Sequence, residues 1–175
     1  VLVVLAEVLS PALWPLFSFA EGTLFWALFV IGHDCGHGSF SRTTRVNHVV
    51  GHLVHTPLLV PFHAWRLSHE RHHRHTADLD RDEGWFPYTE GQIRSLPRFQ
   101  RALRFHVPLL VFPLYLLRGT PGRSGNHVDP RAALFSPMEC RAVRVSLWAC
   151  AGWLIVLAAL GVYLGPGPLL RHYVA

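Results

Sequence analysis

Two short tracts concentrate imidazoles at spacings that suit a metal ion. In His33-Asp34-Cys35-Gly36-His37 the two histidines stand at i and i+4, at the polar end of an apolar run. On a helix those positions share one face, so both rings can reach one ion. Two interfacial histidines that merely cap a membrane helix would show the same pattern, and this pair alone does not choose between the two. The second tract is His69-Glu70-Arg71-His72-His73. Its histidines stand at i, i+3 and i+4, again on one helix face. Three imidazoles converging there suit iron, zinc, copper or nickel. The competing account is a solvated basic helix with chance histidines, which leaves the nearby first pair unexplained.

His69, Glu70 and His73 also spell H-E-x-x-H, the pattern in which two histidines hold zinc and the glutamate is the base of a metalloprotease. Against that, His72 would be a spare imidazole on the same face, and His33 and His37 would have no role.

The elements that must hold these tracts are apolar. Half of the 175 residues are hydrophobic, and mean hydropathy is +0.25. Six Trp and 11 Phe fit a membrane protein, because indole rings favour the interface. Leu13 to Gly32 is about one bilayer long, interrupted by Glu21, and predicts a membrane helix ending near His33. Val1 to Leu9 predicts the end of an earlier membrane helix, with Ser10-Pro11 and Pro15 near the turn. Val49 to Phe62 carries His52 and His55 and ends near proline, which predicts a re-entrant or interfacial segment. His63 to Arg104 is polar and belongs in water or in a protein site. Leu109 to Leu117 is too short to span and is expected to break at Pro113. Arg118 to Pro137 has the Gly and Pro of a loop. Val145 to Leu164 is the clearest span, with no charge.

The net charge is +5 and every one of the 16 basic residues is Arg. A chain without Lys reflects GC-rich coding more than function. Ten of the Arg lie between Arg42 and Arg104, together with most of the His. Arg-rich loops stay on the cytoplasmic or stromal side, so the charge indicates membrane topology and not nucleic acid. Cys35, Cys140 and Cys150 are irregularly spaced and suggest no disulfide framework. The chain has no initiator Met and no recognisable targeting peptide, and it opens inside an apolar run. It reads as a piece of a longer protein.

The run His33 to Ser41 resembles the first histidine box of the plant and algal omega-3 fatty-acid desaturases, with Gly22-Thr23-Leu24-Phe25-Trp26-Ala27 before it. Trp65-Arg66-Leu67-Ser68-His69 through His73 resembles the second box, H-x-x-H-H. Val50 to His55, Asp82 to Pro87 and the loop from Pro121-Gly122 to Pro130 continue the likeness, so it covers nearly the whole chain. The resemblance implies an all-α, integral-membrane helical bundle with a polar, histidine-rich cap on the cytoplasmic or stromal side. Residues 1–175 would be a partial desaturase domain. The family inserts a cis double bond into a lipid-bound acyl chain, using O2 and two electrons at a di-iron centre. The electron donor would be cytochrome b5 in the endoplasmic reticulum or ferredoxin in a plastid. By position, His33, His37, His69, His72 and His73 would be iron ligands. Asp34 would orient a ligand imidazole, or simply be a helix-end carboxylate. His52 and His55 would stand behind the ligands or serve packing. Trp65 and Arg66 would anchor the membrane interface.

Two departures stand out. The family has a third H-x-x-H-H, and none occurs here; His106, His127 and His172 are isolated. The five box histidines fall short of the eight or more ligands that two irons need. Parity agrees: once Val145 to Leu164 has crossed, one more crossing is needed to return a third box to the metal side. This chain by itself is therefore expected neither to hold two irons nor to desaturate. The second departure is His72-His73-Arg74-His75-Thr76, an unusual tail for the omega-3 group. The rival readings are a histidine-box hydroxylase or ketolase, which would leave oxygen in the product; the zinc protease; and a membrane protein without catalysis.

Overall fold

A computed structural model describes residues 11–84, 89–101, 108–119, 125–169 and 173. Among the described residues every regular element is helical. We label them α1 (Trp14–His37), α2 (Thr44–His55), α3 (Phe62–Arg74), α4 (Glu90–Ser95), α5 (Pro108–Arg118), α6 (Cys140–Leu164) and α7 (Pro166–Leu169). The expected apolar run Val1 to Leu9, and His106 and His172, lie outside the described residues.

α1 and α6 have 24 and 25 residues and are long and apolar enough to cross a membrane. At 1.5 Å per residue each spans about 36 Å, against a hydrocarbon core of about 30 Å. Many of their large side chains face outward. Leu16, Phe19 and Trp26 on α1, and Trp148, Ile155 and Val162 on α6, are 66–89% exposed. In water such surface costs roughly 25 cal/mol per Å². In lipid that cost disappears, so the outward apolar faces fit a membrane protein and not a soluble core. Pro15 sits in the first turn of α1, where its missing N–H is one of the groups a helix leaves unpaired anyway. At the other end Gly38 closes the helix in a left-handed conformation (φ 74°), its N–H 3.1 Å from the Cys35 carbonyl.

The chain falls into two compact units, Val1–Leu59 with Trp148–Ala175, and Val60–Leu147. In the first, α1 packs along α2. His55 at the end of α2 is fully buried, and its Nε2 lies 3.2 Å from the Phe29 carbonyl of α1. The imidazole also stacks on Phe29, with ring centroids 5.1 Å apart. A Cβ on Gly32 would come within 2.1 Å of this ring, so only glycine allows the contact. Tyr173 ties the unit together: its hydroxyl donates to the Pro57 carbonyl and accepts from the Trp153 indole at 3.0 Å.

In the second unit, Ala64 and Leu67 of α3 pack with Leu134, Phe135 and Val143. Polar ties surround that core. The Ser68 and Tyr115 hydroxyls lie 3.0 Å apart, and Arg71 donates to Glu139 at 2.6 Å. Thr89 and Gln92 form a reciprocal capping box that starts α4.

Three expectations need correction. α1 does not end near His33 but runs to His37, because Gly38, Ser39 and Phe40 return their N–H groups to carbonyls of the last turn. Val49 to Phe62 is not one segment. α2 stops at His55, a 3-10 turn follows at Thr56–Leu58, Leu59 is left-handed (φ 55°), and a new helix starts at Phe62. Pro57 and Pro61 account for the interruption, since neither can continue an N–H ladder. Finally, α5 continues through Pro113 instead of breaking there.

Candidate metal centre

Both histidine tracts are helical, and in each the two histidines at i and i+4 face one another. His33 and His37 occupy the last turn of α1, with their Nε2 atoms 3.2 Å apart. His69 and His73 occupy successive turns of α3, with Nε2 atoms 3.1 Å apart. Each of the four offers one ring nitrogen to a metal. A metal–imidazole bond of about 2.1 Å places two nitrogens at right angles on one ion about 3.0 Å apart. Both pairs therefore already have the bite of neighbouring ligands, and the donor set fits a transition metal such as iron. Within each pair one ring is half-buried and the other exposed.

His72 is placed differently. Its ring centroid is 5.9 Å from that of His69 and 5.4 Å from that of His73. Its Nδ1 lies 2.6 Å from Asp82 Oδ1. At the first tract Asp34 Oδ1 lies 3.2 Å from His33 Nδ1, but that carboxylate is half-exposed.

Trp65 is not an interface anchor. It is buried, and its indole stacks on the His69 imidazole with centroids 4.4 Å apart and planes 18° apart. One helical turn separates the two, so α3 carries both the imidazole and the plate that stacks on it. Arg66 points its guanidinium at Glu70, 3.7 Å away. Glu70 also pairs with Arg74. A glutamate clasped between arginines at i−4 and i+4 is poorly set to act as a general base, which weakens the protease reading. His52 is partly buried on α2, where burial first and His48 second lower its pKa. His55 is fully buried, stacked on Phe29 and close over Gly32. Asp82 and the platform role of Trp65 were not foreseen. Five residues after the last box histidine the sequence runs Asp78-Leu79-Asp80-Arg81-Asp82-Glu83, and nothing in the spacing singles out Asp82 among those acids.

The fold and the site together describe a helical membrane protein with imidazole pairs set for metal. The family model for fatty acid desaturases matches residues 9–175, and the chain belongs to that family. It is 50% identical to the chloroplastic omega-3 fatty acid desaturase of Glycine max, over 91% of this chain and 36% of that protein. It is 46% identical to the sn-1 acyl-lipid omega-3 desaturase (ferredoxin) of Synechocystis, over 93% of this chain and 45% of that protein. For the acyl-lipid omega-3 desaturase (cytochrome b5) of the endoplasmic reticulum of Arabidopsis thaliana, identity is 45%, over 92% of this chain and 42% of that protein. The chain thus spans less than half the length of these relatives. No solved structure matches it.

Proposed function

We propose that this chain is the part of an acyl-lipid omega-3 desaturase that carries the first two histidine boxes. His33, His37, His69, His72 and His73 hold iron in a di-iron centre. The observation that carries this reading is the paired Nε2 geometry, at 3.2 and 3.1 Å, in a chain of the desaturase family. The names of three relatives support the omega-3 assignment, and two of them support ferredoxin or cytochrome b5 as electron donor.

Bound iron would supply the activation of O2. In the overall reaction two hydrogens leave adjacent methylenes of a lipid acyl chain. Those two hydrogens, with two electrons from the donor and two protons from solvent, account for the reduction of O2 to two waters. The residues of this chain position the centre. α1 and α3 present the imidazoles, Trp65 fixes the plane of His69, and the apolar helices hold the acyl chain close to the iron, where proximity selects the bond. The names of relatives support a plastid or endoplasmic-reticulum membrane, and the Arg-rich loops support a stromal or cytoplasmic side for the boxes.

The test is to change each of the five histidines to Ala in the complete protein as its gene encodes it, expressed in yeast fed linoleate. The expected result is loss of trienoic product by at least a hundredfold, with iron content reduced. Product formation unchanged in any one variant would remove that residue from the ligand set. An oxygenated product from the unaltered protein would point to a hydroxylase.

A further inference from the structure

The loop after α3 is built around one buried carboxylate. Asp82 is 1% exposed. Its Oδ1 accepts the Gly84 N–H at 2.9 Å, and its Oδ2 accepts the Ala77 N–H at 3.2 Å. The third donor is His72 Nδ1, at 2.6 Å. The Asp82 N–H in turn reaches the Asp78 carbonyl at 3.0 Å, which closes the loop from within. A buried carboxylate needs several donors to offset its lost hydration. Here two come from backbone and one from a box histidine. The packing is close as well: a Cβ on Gly84 would lie 2.9 Å from His72 Cγ. The ring is thus held at Nδ1 by a carboxylate and approached near Cγ by a residue without a side chain.

We propose that Asp82 is a positioning residue for His72. It accepts the Nδ1–H, which fixes the tautomer and leaves the Nε2 lone pair for iron. This rests on the reading of His72 as an iron ligand. An imidazole has two nitrogens, and only one tautomer presents a given lone pair. A carboxylate on the far nitrogen selects that tautomer and raises ligand basicity. Asp34 is less suited to the same task at His33, being half-exposed and 3.2 Å away.

The experiment uses the complete protein in detergent, titrated with Fe(II) against a competing chelator, and with Co(II) as a spectroscopic probe. The variants are Asp82→Ala, Asp82→Asn, Gly84→Ala, His72→Ala and the His72→Ala/Asp82→Ala pair. Asp82→Ala is expected to weaken Fe(II) binding about 10–100-fold and to shift the Co(II) ligand-field bands. Asp82→Asn keeps an acceptor oxygen without the charge and should fall between. Gly84→Ala leaves the carboxylate intact but presses on the ring, and should resemble Asp82→Ala. With His72 already replaced, Asp82→Ala should cause no further loss. If Asp82→Ala weakens binding equally with and without His72, Asp82 only supports the loop and the proposal fails. The proposal also fails, with the ligand reading intact, if His72→Ala weakens binding while Asp82→Ala, Asp82→Asn and Gly84→Ala all do not. If His72→Ala leaves Fe(II) binding unchanged, the ligand reading falls and the proposal with it. Should Asp82→Ala fail to fold, Asp82→Asn and Gly84→Ala decide by the same criteria.

Discussion

At Trp65 the indole lies almost parallel to the His69 ring, and both belong to one face of α3. Removing a buried Trp typically costs about 3–5 kcal/mol. Trp65→Ala should therefore lower stability strongly and also loosen His69, whereas Trp65→Phe should keep the stack and most of the iron. Thermal unfolding and iron content, measured side by side, separate the two effects. Glu70 gives the opposite case. Its carboxylate is partly exposed and shared between Arg66 and Arg74. Exposed pairs of this kind contribute at most about 1 kcal/mol. Glu70→Gln should leave acyl desaturation within about twofold, while a protease base would lose at least about a hundredfold. Assaying both activities in that one variant settles which chemistry Glu70 serves.

Among the helices, α1 and α2 meet where His55 fills the space over Gly32. Gly32→Ala should cost roughly 1–3 kcal/mol through overpacking. Shortening the partner in a Gly32→Ala/His55→Ala protein should recover part of that loss, a non-additivity that unfolding midpoints would reveal. Full additivity would mean that the two residues do not share the contact. The helical periodicity of His33/His37 and of His69/His73 was readable directly, because i and i+4 define a face whatever surrounds it. Apolar length likewise announced α1 and α6. The interruption at Thr56–Leu58 was not readable, because counting apolar residues from Val49 to Phe62 ignores where the backbone turns. Asp82 was hidden for a related reason. A loop has no period, so nothing in Asp78, Asp80 and Asp82 tells which carboxylate turns inward.

For the whole molecule, acid should be the weak side. Burial pushes the His55 imidazole down to about 4, outweighing its hydrogen bond to the Phe29 carbonyl. Burial does the same to His127, also to about 4, against the backbone carbonyls of Tyr115 and Leu116. Unfolded, both would titrate near 6.5. The unfolded chain therefore binds more protons between those values, and stability rises with pH across that window. It is complete above about 6.5 and is lost as pH falls toward 4. Each residue contributes on the order of 3 kcal/mol at most. Unfolding midpoints in detergent should drop between pH 7 and pH 5, and His127→Gln should flatten that slope even if it lowers every midpoint. A slope unaltered by both His127→Gln and His55→Gln would assign the acid sensitivity elsewhere.

α1 runs unbroken from Trp14 into the last turn that holds His33 and His37. The helix thereby acts as a calibrated rod: the count of residues along it sets both the height and the compass bearing of the two imidazoles. Inserting one alanine above Gly32 would barely change composition or hydropathy and would leave the box itself untouched. It would still raise the pair by about 1.5 Å and swing it by about 100°. Length along this rod is thus a form of information, held by no single residue and erased by one extra.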